Sequence, residues 1–68
     1  MKAELVNRAY GRQQFVVREK SREYLATYDV RDEWWLVTSR GRRGALRTFG
    51  DTYNRVVAAC LPLIERAE

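Results

Sequence analysis

Four arginines, Arg40, Arg42, Arg43 and Arg47, crowd one short stretch, and Gly41 and Gly44 bracket the middle pair. Glycine admits positive φ and tight turning, so the stretch reads as a hairpin tip. Guanidinium groups held on one tip repel each other, and an anionic partner relieves that repulsion. Arginine is also the side chain suited to bidentate contact with phosphate. A solvated turn kept soluble by charge is the plain alternative. Directly before the tip stand Trp34 and Trp35. Adjacent side chains on a strand point to opposite faces of a sheet, so the two indoles cannot share one core. One of them is expected outside, and Trp and Arg together are typical of docking surfaces.

Other chemistry finds little support. The chain has no histidine and one cysteine, which excludes a His-based triad, a Cys/His zinc site and an intrachain disulfide. Cys60 falls in the middle of an apolar stripe and reads as a buried structural thiol, because reactive cysteines need exposure and a positive setting. Asp29, Asp32 and Glu33 cluster around a turn and read as solvated acids. Arg40 to Gly44 has neither the spacing nor the lysine of a phosphate-binding P-loop. The expectation is a chain without catalytic residues, metal or cofactor.

The elements that must position these groups fit one small domain over residues 1–68. At that length a chain buries roughly 60% of its unfolded surface, so stability is marginal without a staple or a partner, and a homodimer is a reasonable expectation. Hydrophobic residues make up 46% and charged residues 32%, values of a folded chain. The net charge is +4 and the pI about 9.7, which favours nucleic acid or an acidic protein surface as partner. No apolar run is long enough for a membrane span, and the first residues lack the apolar core of a signal peptide. With a free cysteine, this suggests the cytoplasm.

Residues 2–10 read weakly: Leu5, Val6 and Ala9 could form a helical face with Glu4 and Arg8 paired, or the segment could be a strand. Gln13 to Glu19, Glu23 to Val30 and Trp34 to Ser39 read as strands. A three-residue turn between the last two places Val30 opposite Trp34. Trp34 then joins Tyr24, Tyr28 and Leu36 inside, and Trp35 stands outside with Val37 and Ser39. A two-residue turn puts Trp35 and Val37 with the tyrosines instead, since a one-residue slip exchanges the faces. The first register is favoured, which makes Trp35 the candidate anchor beside Arg40, Arg42, Arg43 and Arg47. Ala45 to Phe49 is a candidate fourth strand. Asp51 suits a helix N-cap. Tyr53, Val56, Val57, Cys60, Leu61 and Ile64 form one apolar stripe. Pro62 costs roughly 3 kcal/mol in a helix interior, so the helix is expected to kink there or end near Leu61. The fold class expected is α+β: a three- or four-stranded antiparallel sheet with a C-terminal amphipathic helix on one face, with or without a short N-terminal helix.

With that optional helix, the order of elements resembles double-stranded-RNA-binding domains in topology, although Asp51-Thr52-Tyr53-Asn54 stands where those domains begin a lysine-rich helix. Trp34 to Phe49 followed by the Asp51 helix resembles the DNA-binding arm of tyrosine integrases over about half the chain. The function expected is a small non-enzymatic module that binds nucleic acid, DNA or RNA, through the arginine loop and the exposed tryptophan. The rival is a protein-interaction module of the kind phages and plasmids use to inhibit or redirect a host protein, for example an anti-defence inhibitor.

Overall fold

The computed structural model describes residues 1–41 and 43–65. Four strands, β1 (Lys2–Ala9), β2 (Arg12–Glu19), β3 (Arg22–Asp29) and β4 (Trp34–Ser39), form an antiparallel meander in chain order. Helix α1 (Asp51–Cys60) and a 3-10 turn (Leu61–Leu63) follow and pack on one face. The α+β class expected from the sequence is the one observed.

The N-terminal segment is a strand, not a helix. Ala3 and Leu5 alternate with exposed Lys2 and Glu4 and pack against the core. The Tyr10–Gly11 turn has φ of +54° and +75°, the paired positive values of a two-residue hairpin whose twist matches its strands. Arg8, free of the helical spacing to Glu4, forms its ion pair with Glu65 instead. The element order of double-stranded-RNA-binding domains is therefore absent. Ala45 to Phe49 is not a strand either. A single bridge joins Ala45 to Thr38, and the Leu46 amide donates to the Val37 carbonyl at 2.7 Å. The chain then turns at Thr48–Phe49, with Phe49 at φ +64°.

The tryptophans exchange the places expected of them. Asp29 pairs with Trp34, Tyr28 with Trp35 and Ala26 with Val37. The physical reason is the turn. The Asp29 carboxylate accepts the amides of Arg31 and Asp32 at 3.0 and 3.1 Å, and the Glu33 amide donates to the Asp29 carbonyl at 2.8 Å. This local network closes the chain so that Trp34 returns opposite Asp29 rather than Val30. Trp35 is 8% exposed, with its ring 4.7 Å from that of Tyr28 and 5.7 Å from that of Phe15. Trp34 is 47% exposed.

Phe15, Val17, Ala26 and Val37 line the inner face, and α1 seals it with Tyr53, Val56 and Cys60. Val57 and Ile64 of the stripe pack at its margin, while Leu61 is exposed. Gly50, not Asp51, is the N-cap residue, and no side chain among the described residues caps the helix. Asp51 is the first helical residue, where its charge still favours the positive end of the helix dipole. The helix ends at Cys60, and Pro62 sits in the 3-10 turn, as its missing amide requires.

Truncation of a buried Trp costs about 3–5 kcal/mol, a large share of the stability of so small a domain. Trp35→Ala is expected to lose that amount or unfold, whereas Trp34→Ala should shift stability by less than about 1 kcal/mol. Urea titrations followed by circular dichroism will read the difference, and equal losses would contradict this register.

Candidate nucleic-acid interface

The sheet face opposite α1 carries no covering element among the described residues. Val16, Leu25 and Thr38 lie abreast across β2, β3 and β4, and Gln14, Thr27 and Leu36 form the next row. Leu25 and Leu36 are diagonal neighbours, and Trp34 follows two residues before Leu36 on the same face. Leu25, Trp34 and Leu36 are all exposed. Below Trp34, Asp29 is held 3.8 Å from the Arg12 guanidinium. The result is an open apolar platform with an indole at one end.

At the other end of β4 the charge is positive. The antiparallel register sets the β2–β3 turn beside the end of β4, and the Arg40 amide donates to the Glu23 carbonyl at 2.9 Å. Arg18, Lys20, Arg22 and Arg40 gather there around a cleft of about 700 Å³. The Glu23 carboxylate lies between two of them, accepting Arg18 Nε at 3.1 Å and Arg40 Nη1 at 3.2 Å. Glu19 is engaged by Arg55 at 3.1 Å. Arg43 and Arg47 are exposed, and neither joins an ion pair among the described residues. Arg42 lies outside the described residues.

The expected Trp–Arg cluster thus comes apart into two poles. Trp35, the expected anchor, is buried, and Trp34 is the exposed indole. Trp34 and Arg40 stand at opposite ends of β4, about 20 Å apart at the rise of a strand. Arg18 on β2, Lys20 in the β2–β3 turn and Arg22 at the start of β3, none of them a site candidate from the sequence, join the basic pole because strand pairing brings them to it. Tyr24 beside them is buried, and its hydroxyl has no hydrogen-bond partner among the described residues. An unpaired buried hydroxyl costs about 1–3 kcal/mol.

No family model, curated protein or solved structure matches the chain. No group of three or more His, Cys, Asp or Glu among the described residues is placed to hold a metal ion. No helix among them is long and apolar enough to cross a membrane. Of the acids clustered at the β3–β4 turn, Asp29 serves as the cap of that turn.

A second feature flanks β4. A groove of about 390 Å³ runs between the strand, the 45–49 loop and α1, lined by Trp34, Phe49, Tyr53 and Leu61 among others. Phe49 is 79% exposed and meets the Tyr53 ring edge-on at 5.8 Å.

Cys60 is fully buried, and desolvation pushes its thiol from the ordinary 9.0 up to about 11. Below pH 9 the thiol keeps its proton in both folded and unfolded chains. Above it the unfolded chain ionises first, so stability is expected to fall by about 2–3 kcal/mol between pH 9 and 11. Cys60→Ala should flatten that part of the pH profile, and thiol reagents at pH 8 should label the native protein only as fast as it opens.

Proposed function

We propose that the chain is a non-enzymatic module that binds single-stranded nucleic acid across the outer face of its sheet. The observation that carries this reading is a platform left uncovered by the described residues, with Trp34 at one end and a cluster of arginines at the other. Bases of an unpaired strand stack on aromatic and apolar surface, while its phosphates take cationic side chains. A duplex offers its bases only in the grooves, and the sequence-specific modules that enter the major groove commonly do so with a helix. Helix α1 packs its stripe on the sheet, and its exposed residues, Asp51, Asn54, Arg55 and Ala58, include one cation, already paired with Glu19. That surface offers a duplex little.

Phosphate contact through Arg40, Arg43 and Arg47 makes affinity fall with salt. Each neutralised phosphate contributes about 0.7 to the logarithmic slope for a single strand. The triple change of these arginines to alanine is expected to lower the slope by about 2. Trp34→Ala should weaken binding by about 1–3 kcal/mol and leave the slope unchanged. Titrations of labelled random-sequence single-stranded DNA, RNA and duplex DNA at several salt concentrations provide the measurement. Preference for the duplex, or no binding at low salt, would overturn the reading.

A second reading, a protein-interaction module, is favoured by the groove beside β4, where Phe49 and Leu61 are 79% and 53% exposed. An exposed aromatic ring such as Phe49 is typical of protein interfaces, where aromatic residues are enriched. In the simplest case the occupant is a second copy of the chain. Sedimentation at micromolar concentration should then show a dimer that Phe49→Asp dissociates, and a wild-type monomer would reject self-association through this groove.

A further inference from the structure

We infer that the cleft at the basic pole is a binding site for a phosphate monoester, with the buried Tyr24 hydroxyl as one of its donors. The cleft lies between the β2–β3 turn, the end of β4 and the first turn of α1, and Thr52 and Tyr24 are among its lining residues. Its volume, about 700 Å³, falls in the range of small-ligand sites and exceeds the needs of a bare phosphate. It has room for the sugar and base of one nucleotide.

Two independent observations point to an anion. Four cations, Arg18, Lys20, Arg22 and Arg40, line the cleft against one carboxylate, Glu23. Glu23 spends its two oxygens on Arg18 and Arg40 and so holds both guanidiniums at the cleft wall. Each guanidinium has five N–H donors, so both keep others for a ligand. Asp51 borders the cleft as the neighbour of Thr52 but is absent from its lining. The second observation is Tyr24. It is 3% exposed, lines the cleft, and its hydroxyl is unpartnered among the described residues. The hydroxyl itself is sealed from solvent behind the cleft wall, so a phosphate reaches it only as the flanking side chains part; a phenol then donates well to a phosphate oxygen, and the Thr52 hydroxyl can add a second donor. The cations supply attraction and the hydroxyls supply geometry.

The phosphate can come from a free mononucleotide or from the end of a nucleic-acid strand. Only in the second case does the inference rest on the proposed nucleic-acid reading. It would then name the end of the strand as the feature recognised.

The test titrates the full-length protein with inorganic phosphate and a nucleoside 5′-monophosphate, read by amide NMR shifts. Fluorescence anisotropy then compares otherwise identical 5′-phosphorylated and 5′-hydroxyl single strands. Expected are saturable shifts centred on residues 20–24, Arg40 and Thr52. Tyr24→Phe keeps the ring in the core and should weaken phosphate binding about tenfold, the effect of one lost hydrogen bond to a charged group. Arg22→Ala, at an exposed position, should weaken it as well. Non-saturating shifts spread equally over Arg8, Arg12 and Arg31 would overturn the site, as would unchanged phosphate binding by Tyr24→Phe. A phosphorylated strand that binds about tenfold tighter than the hydroxyl strand, with the gain lost in Tyr24→Phe, supports recognition of a strand end. Phosphate binding with equal affinity for both strands supports the site with a free nucleotide as ligand. Failure of the 5′-hydroxyl strand to bind bears on the nucleic-acid reading alone.

Discussion

The Asp29 carboxylate, accepting the amides of Arg31 and Asp32, closes the turn on which the arrangement of both sheet faces depends. A strand has two faces and a side-chain period of two, so a slip of one residue would exchange every side chain of β4. In the observed register Trp35 and Val37 meet Phe15, Ala26 and Tyr28 under α1, and Trp34 and Leu36 face outward. The slipped register would bury Trp34, Leu36 and Thr38 instead. It would place a threonine hydroxyl where Val37 is now fully buried and would expose Trp35, the ring that meets both Phe15 and Tyr28. Two turn hydrogen bonds of modest worth therefore act together with a packing difference of several side chains, each worth about 1.5–3 kcal/mol when buried.

The elements with strong local signals were legible in the sequence. β2, β3 and β4 alternate clearly, the stripe of α1 is regular, and Pro62 marks where the helix must stop. The register was not, because Arg31-Asp32-Glu33 suits turns of several lengths. The deciding residue, Asp29, sits at the end of the strand and reads as one more outward polar position. β1 was ambiguous because a bulge between Leu5 and Asn7 breaks its alternation after two inward residues. Gln13 could not be foreseen at all. The residue is 5% exposed, and its side-chain amide pairs with the backbone of Glu65, accepting from the Glu65 amide at 2.9 Å and donating to its carbonyl. A partner 52 residues away leaves no local pattern.

That same pairing answers a difficulty of size. A chain of 68 residues with one cysteine has no covalent staple. Gln13 acts in place of one more strand residue, satisfying both backbone groups of Glu65 and tying the segment after the 3-10 turn to β2. Arg8 on β1 grips the Glu65 side chain from the neighbouring strand. The C-terminal segment is thus fastened at the hairpin end where Tyr10 and Gly11 turn, while α1 starts at the opposite end, near the basic pole. The helix is held across the diagonal of the sheet, and its core-facing side chains are fixed from both ends.

The candidate site was half legible for a related reason. Composition exposes charge but not its neutralisation, which depends on strand pairing. Of the acids near the arginines, Glu19 and Glu23 are each drawn into ion pairs with cations from other elements, and both remain at the surface. Such exposed pairs contribute little to stability. Their effect is positional: Glu23 draws Arg18 and Arg40 to one spot, and Lys20, Arg22, Arg43 and Arg47 are left outside any ion pair among the described residues. Because the indole lies a full strand length away, the two poles have different chemistry and a fixed direction between them. A strand lying across this face with its phosphate end in the cleft would have one polarity, since reversing it would place the phosphate beside Trp34 and the Asp29 carboxylate, which the Arg12 guanidinium already faces at 3.8 Å.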